Sequence, residues 1–465
     1  MKKQLFSEFN SHSKEDWKQQ VIKDLKGKDF DENLTWIIDE NIRVKSYFDS
    51  NEVAELPLKS IQQSQNQRLT KTWSTREIIK YKSEKETNSL IISLLKAGAD
   101  SFVIDFSGVF ELKFEIKELL RNIKISDTPF FFKVENNALE LVNALQTIAP
   151  YHWKGGIDND VLGRYFTTGI YDESHWNVMV EILGKVQNYT SFKPLVINGN
   201  IFHNSGANIG QELAFTLASA LEVVDKISQQ NVRLPVIIQK IEFSISVGTN
   251  YFSEIAKIRA LKFLWHKILK EGFDLDDHEI PPISIHCTTS SFFSSSKSPH
   301  TNMLRATTEA MSAVIGGCDS LSIRTFDETL KESDDFSSRI SRNISIILKE
   351  ESYFDKVIDP SAGSYLIEKL TFEIAENAFK LLQDVESSGG IVEAFKQNFI
   401  QNEIKRNFEI KLNEVVNNEK IMVGVNKFKE NTEENSNENK IPTSLKSNLG
   451  FDLLTNLRLS STFEK

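Results

Sequence analysis

Residues 89–134, SLIISLLKAGADSFVIDFSGVFELKFEIKELLRNIKISDTPFFFKV, decide the fold. The run 89–97 has helical periodicity and stops at Gly98. Phe102-Val103-Ile104-Asp105-Phe106 is a short apolar run with strand character. A second helical run, 110–123, leads through Pro129 to Phe130-Phe131-Phe132-Lys133-Val134, a second strand. Strand, helix and strand at this pitch make a βα unit, because parallel neighbours need a crossover long enough to hold a helix.

The alternation continues outward. A third helix is expected at 138–148, followed later by a strand at Leu195-Val196-Ile197 and a helix at 210–227. Val236-Ile237-Ile238 and 241–247 read as strand, and 251–271 as a long helix whose apolar residues recur at helical spacing. Ile283-Ser284-Ile285-His286-Cys287 reads as a strand, 301–315 as a helix closed by Gly316-Gly317, and 320–323 as a strand. Helices at 337–348 and 365–385 complete the pattern, the second being the last strong one. Seven or eight such cycles favour an α/β fold of the closed (β/α)8 (TIM) barrel type over a doubly wound sheet. A chain of 465 residues holds a barrel of roughly 250 residues with extensions. No GxGxxG or GxxxxGK[ST] run opens a helix, so nucleotide-binding versions of the α/β fold have no support.

Three regions are expected. Residues 1–72 form an N-terminal arm and connector. Ser13-Lys14-Glu15-Asp16 starts a helix there, residues 34–38 and 42–44 form a short hairpin, and the Gln-rich stretch 59–71 is a polar connector. Residues 73–400 form the barrel. Residues 401–465 are a short C-terminal extension, with a polar Asn/Glu-rich loop at 427–440 and a mildly apolar end at 445–463 suited to packing on the body or on a partner.

The charge balance, 55 basic against 65 acidic residues and −10 net, lacks the basic footprint of a nucleic-acid binder or of a protein held on anionic membranes. No run approaches the ~20 apolar residues of a membrane-spanning helix, and the N-terminus has no signal-peptide pattern. Cys287 and Cys318 have neither CxxC spacing nor a histidine cluster, so neither a disulfide framework nor a metal site is expected. The cytoplasm is the expected compartment.

Several stretches together resemble the methylmalonyl-CoA mutase family. They are 252–260 with Leu264-Trp265 (FSEIAKIRA and LW), His286-Cys287-Thr288-Thr289-Ser290, Arg305 to Ala310 (RATTEA) with 336–343 (FSSRISRN), and 359–365 (DPSAGSY). Trp17, Leu25-Lys26-Gly27 and Leu34-Thr35-Trp36 in the arm agree with it. The resemblance spans most of residues 10–400. It implies a barrel working in an adenosylcobalamin-dependent isomerase that interconverts methylmalonyl-CoA and succinyl-CoA by a radical rearrangement.

The departures are as informative. Catalytic chains of the family carry a GTIQND segment whose glutamine lies in the substrate site; here the stretch is Gly155-Gly156-Ile157-Asp158-Asn159-Asp160, with Asp158 in its place. Where catalytic chains pair an arginine with the substrate carboxylate, this chain has Thr168, which cannot form the bidentate ion pair. Where they polarise the thioester with a histidine, it has Ile201; His203, two places on, would keep the same face on an extended strand end but be displaced by about 6–7 Å. The CoA-threading segment with its proline and tyrosine has no counterpart in 59–73, and no DxHxxG cobalt-ligating signature occurs. The resemblance thus implies a non-catalytic small subunit with no catalytic, cofactor-binding or metal residues of its own. It would be inactive alone and form a heterodimer with a catalytic large subunit that holds adenosylcobalamin. The alternative is a substrate-binding subunit of a split acyl-CoA mutase that borrows cobalamin from a separate chain.

The remaining polar residues read as structural. His203 and His286 are taken as hydrogen-bonded histidines, the second supporting a strand end. Asp158 and Asp160 are assigned turn and helix-cap roles. Asp359, Ser361 and Ser364 are a cap cluster before a helix, Arg339 and Arg342 lie on a solvated or interface face, and Gly389-Gly390 end a helix.

Overall fold

The computed structural model describes residues 12–39, 42–68, 70–109, 115–149, 152–429 and 450–464. The start of the helix expected at 110–123, most of the polar stretch 427–440 and the beginning of 445–463 lie outside the described residues. The chain divides into two compact units, 1–55 and 56–465.

In the first unit the helix Lys14–Asp24 begins where the sequence places it. Ser13 and Asp16 form a reciprocal capping box. Trp17 stacks on Tyr47 at 5.0 Å and meets Phe30 edge-on at 6.1 Å. Strands β1 (Trp36–Asp39) and β2 (Ile42–Val44) pair antiparallel as the expected hairpin.

The second unit is the barrel. Its strands are β3 (Ser74–Lys80), β4 (Ser101–Asp105), β5 (Phe130–Lys133), β6 (Gly155–Asp158), β7 (Phe192–Lys193), β8 (Leu195–Asn198), β9 (Ile241–Val247), β10 (Ile285–Thr289) and β11 (Ser320–Ser322). All are parallel, in the order β7-β6-β5-β4-β3-β11-β10-β9-β8. β7 and β8 are one strand divided by Pro194. Its first half pairs with β6 and its second with β9, so the sheet closes into a ring of eight strands taken in chain order. Proline has no N–H to give the ladder, and it stands where the strand changes partner.

Side chains alternate between lumen and outer layer. Phe102 and Ile104 of β4 and Phe130 and Phe132 of β5 face outward into a core with Leu141 and Leu145 of the helix Ala138–Ile148. Phe243 of β9 packs edge-on against Trp265 of the helix Tyr251–Lys267, at 5.2 Å. A Cβ at Gly155 would overlap the carbonyl of Phe130, and one at Gly156 the carbonyl of Lys193, so β6 needs its glycine pair for the neighbouring strands to approach.

Three expectations are corrected, and one strand was not anticipated. The polar stretch 59–71 is not a connector but carries the helix Leu58–Asn66, because Ile61 anchors it and the buried Gln65 amide donates to Arg259 O at 3.1 Å. Val236-Ile237-Ile238 lies in a helix, Leu234–Gln239, started by Pro235 at its first turn. The first barrel strand, β3, has no strand-like signature in its sequence, STREIIK. Its polar residues are matched across both faces instead: Thr75 with Ser345 at 2.8 Å, Arg76 with Glu242 at 2.7 Å and Glu77 with Arg342 at 3.0 Å. The helix Tyr365–Ser387 is not the last; Ile391–Lys396 and Phe399–Val416 follow it. The chain end at 450–464 does pack back on the body. Leu454 N donates to Phe166 O (2.9 Å), Leu457 N to Asn204 O (2.7 Å) and Leu459 N to Phe292 O (2.9 Å). Leu459 shares a small core with Phe292, Phe408, Leu412 and Val425. Among the described residues no helix is long and apolar enough to cross a membrane.

Candidate functional site

Active sites of (β/α)8 barrels are built at the C-terminal ends of the strands. At that mouth β4, β5 and β6 bring Asp105, Lys133 and Asp158 side by side, since Lys133 is in register with both neighbours. Lys133 Nζ lies 3.1 Å from Asp105 Oδ2. Burial, only partly offset by Lys133, pushes the Asp158 carboxyl up to about 6, with Asp105 and Glu242 adding to the rise and Arg76 opposing it. Asp160 caps the helix Val161–Thr168, accepting from Gly163 N at 2.9 Å, and burial pushes its carboxyl up to about 7.

Asp158 has a raised folded-state value, so between its ordinary 3.8 and about 6 the folded protein holds a proton that the unfolded chain has released. Stability contributed at this site therefore falls as pH rises through that window and stays low above it. Asp158→Asn is expected to raise stability by about 2 kcal/mol above pH 6 and to change little below about pH 4. Unfolding midpoints at the two pH values check this; a gain as large at low pH would mean that the carboxyl is not the cause.

Thr168 and Ile201 do not join this group as ligand-binding residues. Thr168 is exposed at the end of its helix, its hydroxyl donating to Arg164 O at 2.7 Å and accepting from Ile170 N at 3.2 Å. Ile201 lies not on a strand end but in a short helix, Asn200–Asn204. Two residues along a helix turn the side chain through about 200°, so His203 leaves the face of Ile201 rather than sharing it. The buried His203 bonds Ser290 Oγ through Nε2 (2.8 Å) and Glu212 Oε2 through Nδ1 (3.2 Å). Glu212 also accepts from Lys257 Nζ at 2.7 Å and Ser246 N at 3.0 Å. Burial alone would raise the Glu212 carboxyl; Lys257 and His203 outweigh it and hold it at about 2.

His286 is not at the C-terminal end of its strand but is the second residue of β10. β10 starts at Ile285, so His286 sits inside the barrel, bonded to Ser320 Oγ at 2.9 Å and Thr288 Oγ1 at 3.3 Å. Burial and nearby Arg76 push its ring well below the ordinary histidine range, so it is neutral. Beside it the lumen is bridged. Arg76 of β3 reaches Glu242 of β9 with both terminal nitrogens, at 2.7 and 3.0 Å, and its guanidinium lies 3.6 Å over the ring of Phe131. Both charged side chains are about 95% buried, at 6% and 4% exposure. The sequence reading missed this bridge: its residues come from strands 166 positions apart and follow no spacing rule.

The quoted sequence motifs meet in pairs. Arg259 of the FSEIAKIRA stretch is buried against Asp359 of DPSAGSY and against Glu368, the latter at 2.8 Å. Asp359 is thus an ion-pair partner rather than a cap; Ser364 alone caps the helix Tyr365–Ser387. Glu309 of RATTEA accepts from Ser290 N at 3.1 Å, and burial pushes its carboxyl up to about 8. Arg342 is buried against Glu77 rather than solvated, whereas Arg339 is exposed. Cys287 and Cys318 are free, buried thiols.

With this arrangement in view, the comparisons with known proteins are specific. The family described as Methylmalonyl-CoA mutase matches residues 111–456. This chain belongs to the methylmalonyl-CoA mutase family. It is similar to the methylmalonyl-CoA mutase small subunit of Porphyromonas gingivalis, at 32% identity over 93% of this chain and 72% of that one. It is also similar to methylmalonyl-CoA mutase of Escherichia coli, at 31% identity over 61% of this chain and 40% of the relative, and to the mitochondrial mutase of Mus musculus, at 26% over 89% and 60%. The chain therefore spans less than two thirds of the length of those two family members. Among solved structures, dihydropteroate synthase from Anaplasma phagocytophilum matches at 15% identity over 60% of this chain and 99% of that one, with a TM-score of 0.31.

Proposed function

We propose that this chain is the non-catalytic small subunit of a heterodimeric adenosylcobalamin-dependent methylmalonyl-CoA mutase, and that it acts in the cytoplasm. The observation that carries the reading is the Arg76–Glu242 bridge. A CoA ester entering the barrel lumen would meet this buried ion pair, backed by Phe131 and by neutral His286. Opening it would leave two charges unpaired in the interior, at a cost of several kcal/mol.

The mouth supports the same reading. Asp158 puts a carboxyl where an anionic substrate would need an amide, and Thr168 spends its hydroxyl on its own helix. The cobalamin cofactor finds no ready ligand in these residues: His203 has both ring nitrogens bonded, to Glu212 and Ser290, and His286 to Ser320 and Thr288. The proposed partner, a catalytic large subunit, holds the cofactor. In this reading the first unit of the arm, residues 1–55, wraps the partner; Ile22, Trp36, Ile37 and Tyr47 are each at least 40% exposed, and an isolated chain gains nothing from apolar surface left in water.

Assayed with adenosylcobalamin and methylmalonyl-CoA, the purified chain is expected to show no turnover alone. Activity and co-elution are expected once the catalytic subunit of the same organism is added. Turnover by this chain by itself would sink the proposal, while saturable CoA-ester binding by the chain alone would favour the split-mutase alternative.

A further inference from the structure

The seam where the ring closes on itself, between the last strand β11 and the first strand β3, contains a cavity of about 240 Å3. Its walls come from these two strands, from the loop after β11 and from the opening turns of the helix Asp335–Glu350. At roughly 30 Å3 per water this is the room of about eight waters, more than a single ion requires. Barrels recurrently build phosphate sites from the loops after their last strands and an adjoining helix N-terminus, where backbone N–H groups and the helix dipole favour an anion.

Three arginines line this cavity, and none has its whole fork engaged. Arg76 gives both terminal nitrogens to Glu242, and its Nε–H, inside a side chain 94% buried (6% exposed), has no hydrogen-bond partner. A buried donor left without an acceptor costs about 1–3 kcal/mol, a penalty that a bound acceptor would remove. Arg342 donates Nε to Ala97 O (3.1 Å) and Nη1 to Glu77 (3.0 Å), which leaves Nη2. Arg324 donates Nε to Thr289 O (3.0 Å) and Nη1 to Glu328 (3.2 Å), which again leaves Nη2. The hydroxyl of Ser338, in the first turns of the helix, makes no hydrogen bond among the described residues, and Ser341 lies one turn further on.

Each of the three arginines is already paired with one carboxylate, Arg76 with Glu242, Arg324 with Glu328 and Arg342 with Glu77, so the attraction for an anion rests on the donors these pairs leave free. Glu328 holds one nitrogen of Arg324 from four residues along the same loop. Burial raises the Glu77 carboxyl against the pull of Arg342.

We propose that the cavity between β11 and β3 binds a tetrahedral oxyanion, either inorganic phosphate or the phosphate of a small phosphomonoester, through Arg76, Arg324, Arg342 and Ser338. This site lies on the side of the mouth away from Asp158 and stands whether or not the chain is a mutase subunit.

The test is isothermal titration of the full chain with inorganic phosphate and with glycerol 3-phosphate, at ionic strength matched with chloride. Saturable binding is expected, weakened about tenfold or more by Arg324→Gln and by Ser338→Asp, which remove a charge-assisted donor and add a repelling charge. Both positions are at the cavity rim, and circular dichroism of each variant confirms that it is folded. Tighter binding of glycerol 3-phosphate than of phosphate assigns an organic phosphomonoester; the reverse order assigns free phosphate. No saturable binding of either, or binding that both variants leave intact, would overturn the proposal.

Discussion

Glu242→Ala is expected to cost the protein about 3–5 kcal/mol, because it leaves the Arg76 guanidinium charged and unpaired inside the barrel. The pair is bidentate and almost wholly buried, and Ser284 adds a third bond to Glu242 at 3.3 Å. That loss is a large part of the 5–15 kcal/mol that stabilises a typical domain. Glu242→Gln keeps an acceptor for Arg76 and should lose less. The double variant Arg76→Met with Glu242→Leu should recover most of the loss, since an apolar pair of similar volume avoids desolvating two ions. Thermal midpoints of the three variants form the measurement. If Glu242→Ala proves nearly neutral, the lumen is not bridged as described, and the main support for a non-catalytic barrel goes with it.

Removing residues 450–465 is expected to be at least as damaging. Phe451, Leu454 and Leu459 are 7%, 5% and 4% exposed. Burial of such side chains is worth about 1.5–3 kcal/mol each, so their loss amounts to roughly 5–9 kcal/mol before allowing for a compact unfolded state. Deletion also uncovers Phe292, Phe408 and Leu412, with which Leu459 shares its core, and frees the Phe166, Asn204 and Phe292 carbonyls that the segment satisfies. The truncated chain should therefore bind a hydrophobic dye, aggregate, or fail to accumulate as soluble protein. A truncated chain with an unchanged melting curve would show that the segment is an appendage and not part of the fold.

Much of the barrel was legible because its chemistry is local. β4, β5 and β9 are apolar runs bounded by turn residues, and the helices at 209–228, 251–267 and 365–387 carry long apolar stripes. β3 and β6 were not legible, for different reasons. In STREIIK the polar residues are stabilised by partners up to 270 positions away, which no window of sequence contains. In Gly155–Asp158 the strand is set by how closely its neighbours' backbones approach, and the glycine pair says only that something must come near. The helix Leu234–Gln239 was misread because Val236-Ile237-Ile238 is β-branched, yet Pro235 opens a helical turn and Ile237 and Ile238 are buried there.

The candidate site divides along the same line. The residues at positions 158, 168 and 201 were read as departures from a family pattern, a reading that uses only sequence. What those positions face was not. His203 turned away from Ile201 because a strand end became a helix, and the position of His286 depended on where β10 begins.

By itself, then, the sequence determined the βα alternation, the family motifs and a net acidic charge, because periodicity, motif identity and composition are properties of neighbours along the chain. Only the tertiary structure decided which charges meet. Arg76 finds Glu242 across the lumen, Arg259 finds Asp359 and Glu368, and Lys257 finds Glu212. An ion pair in a low-dielectric interior is fixed by distance in space, and the barrel creates those distances only when its last strand closes on its first.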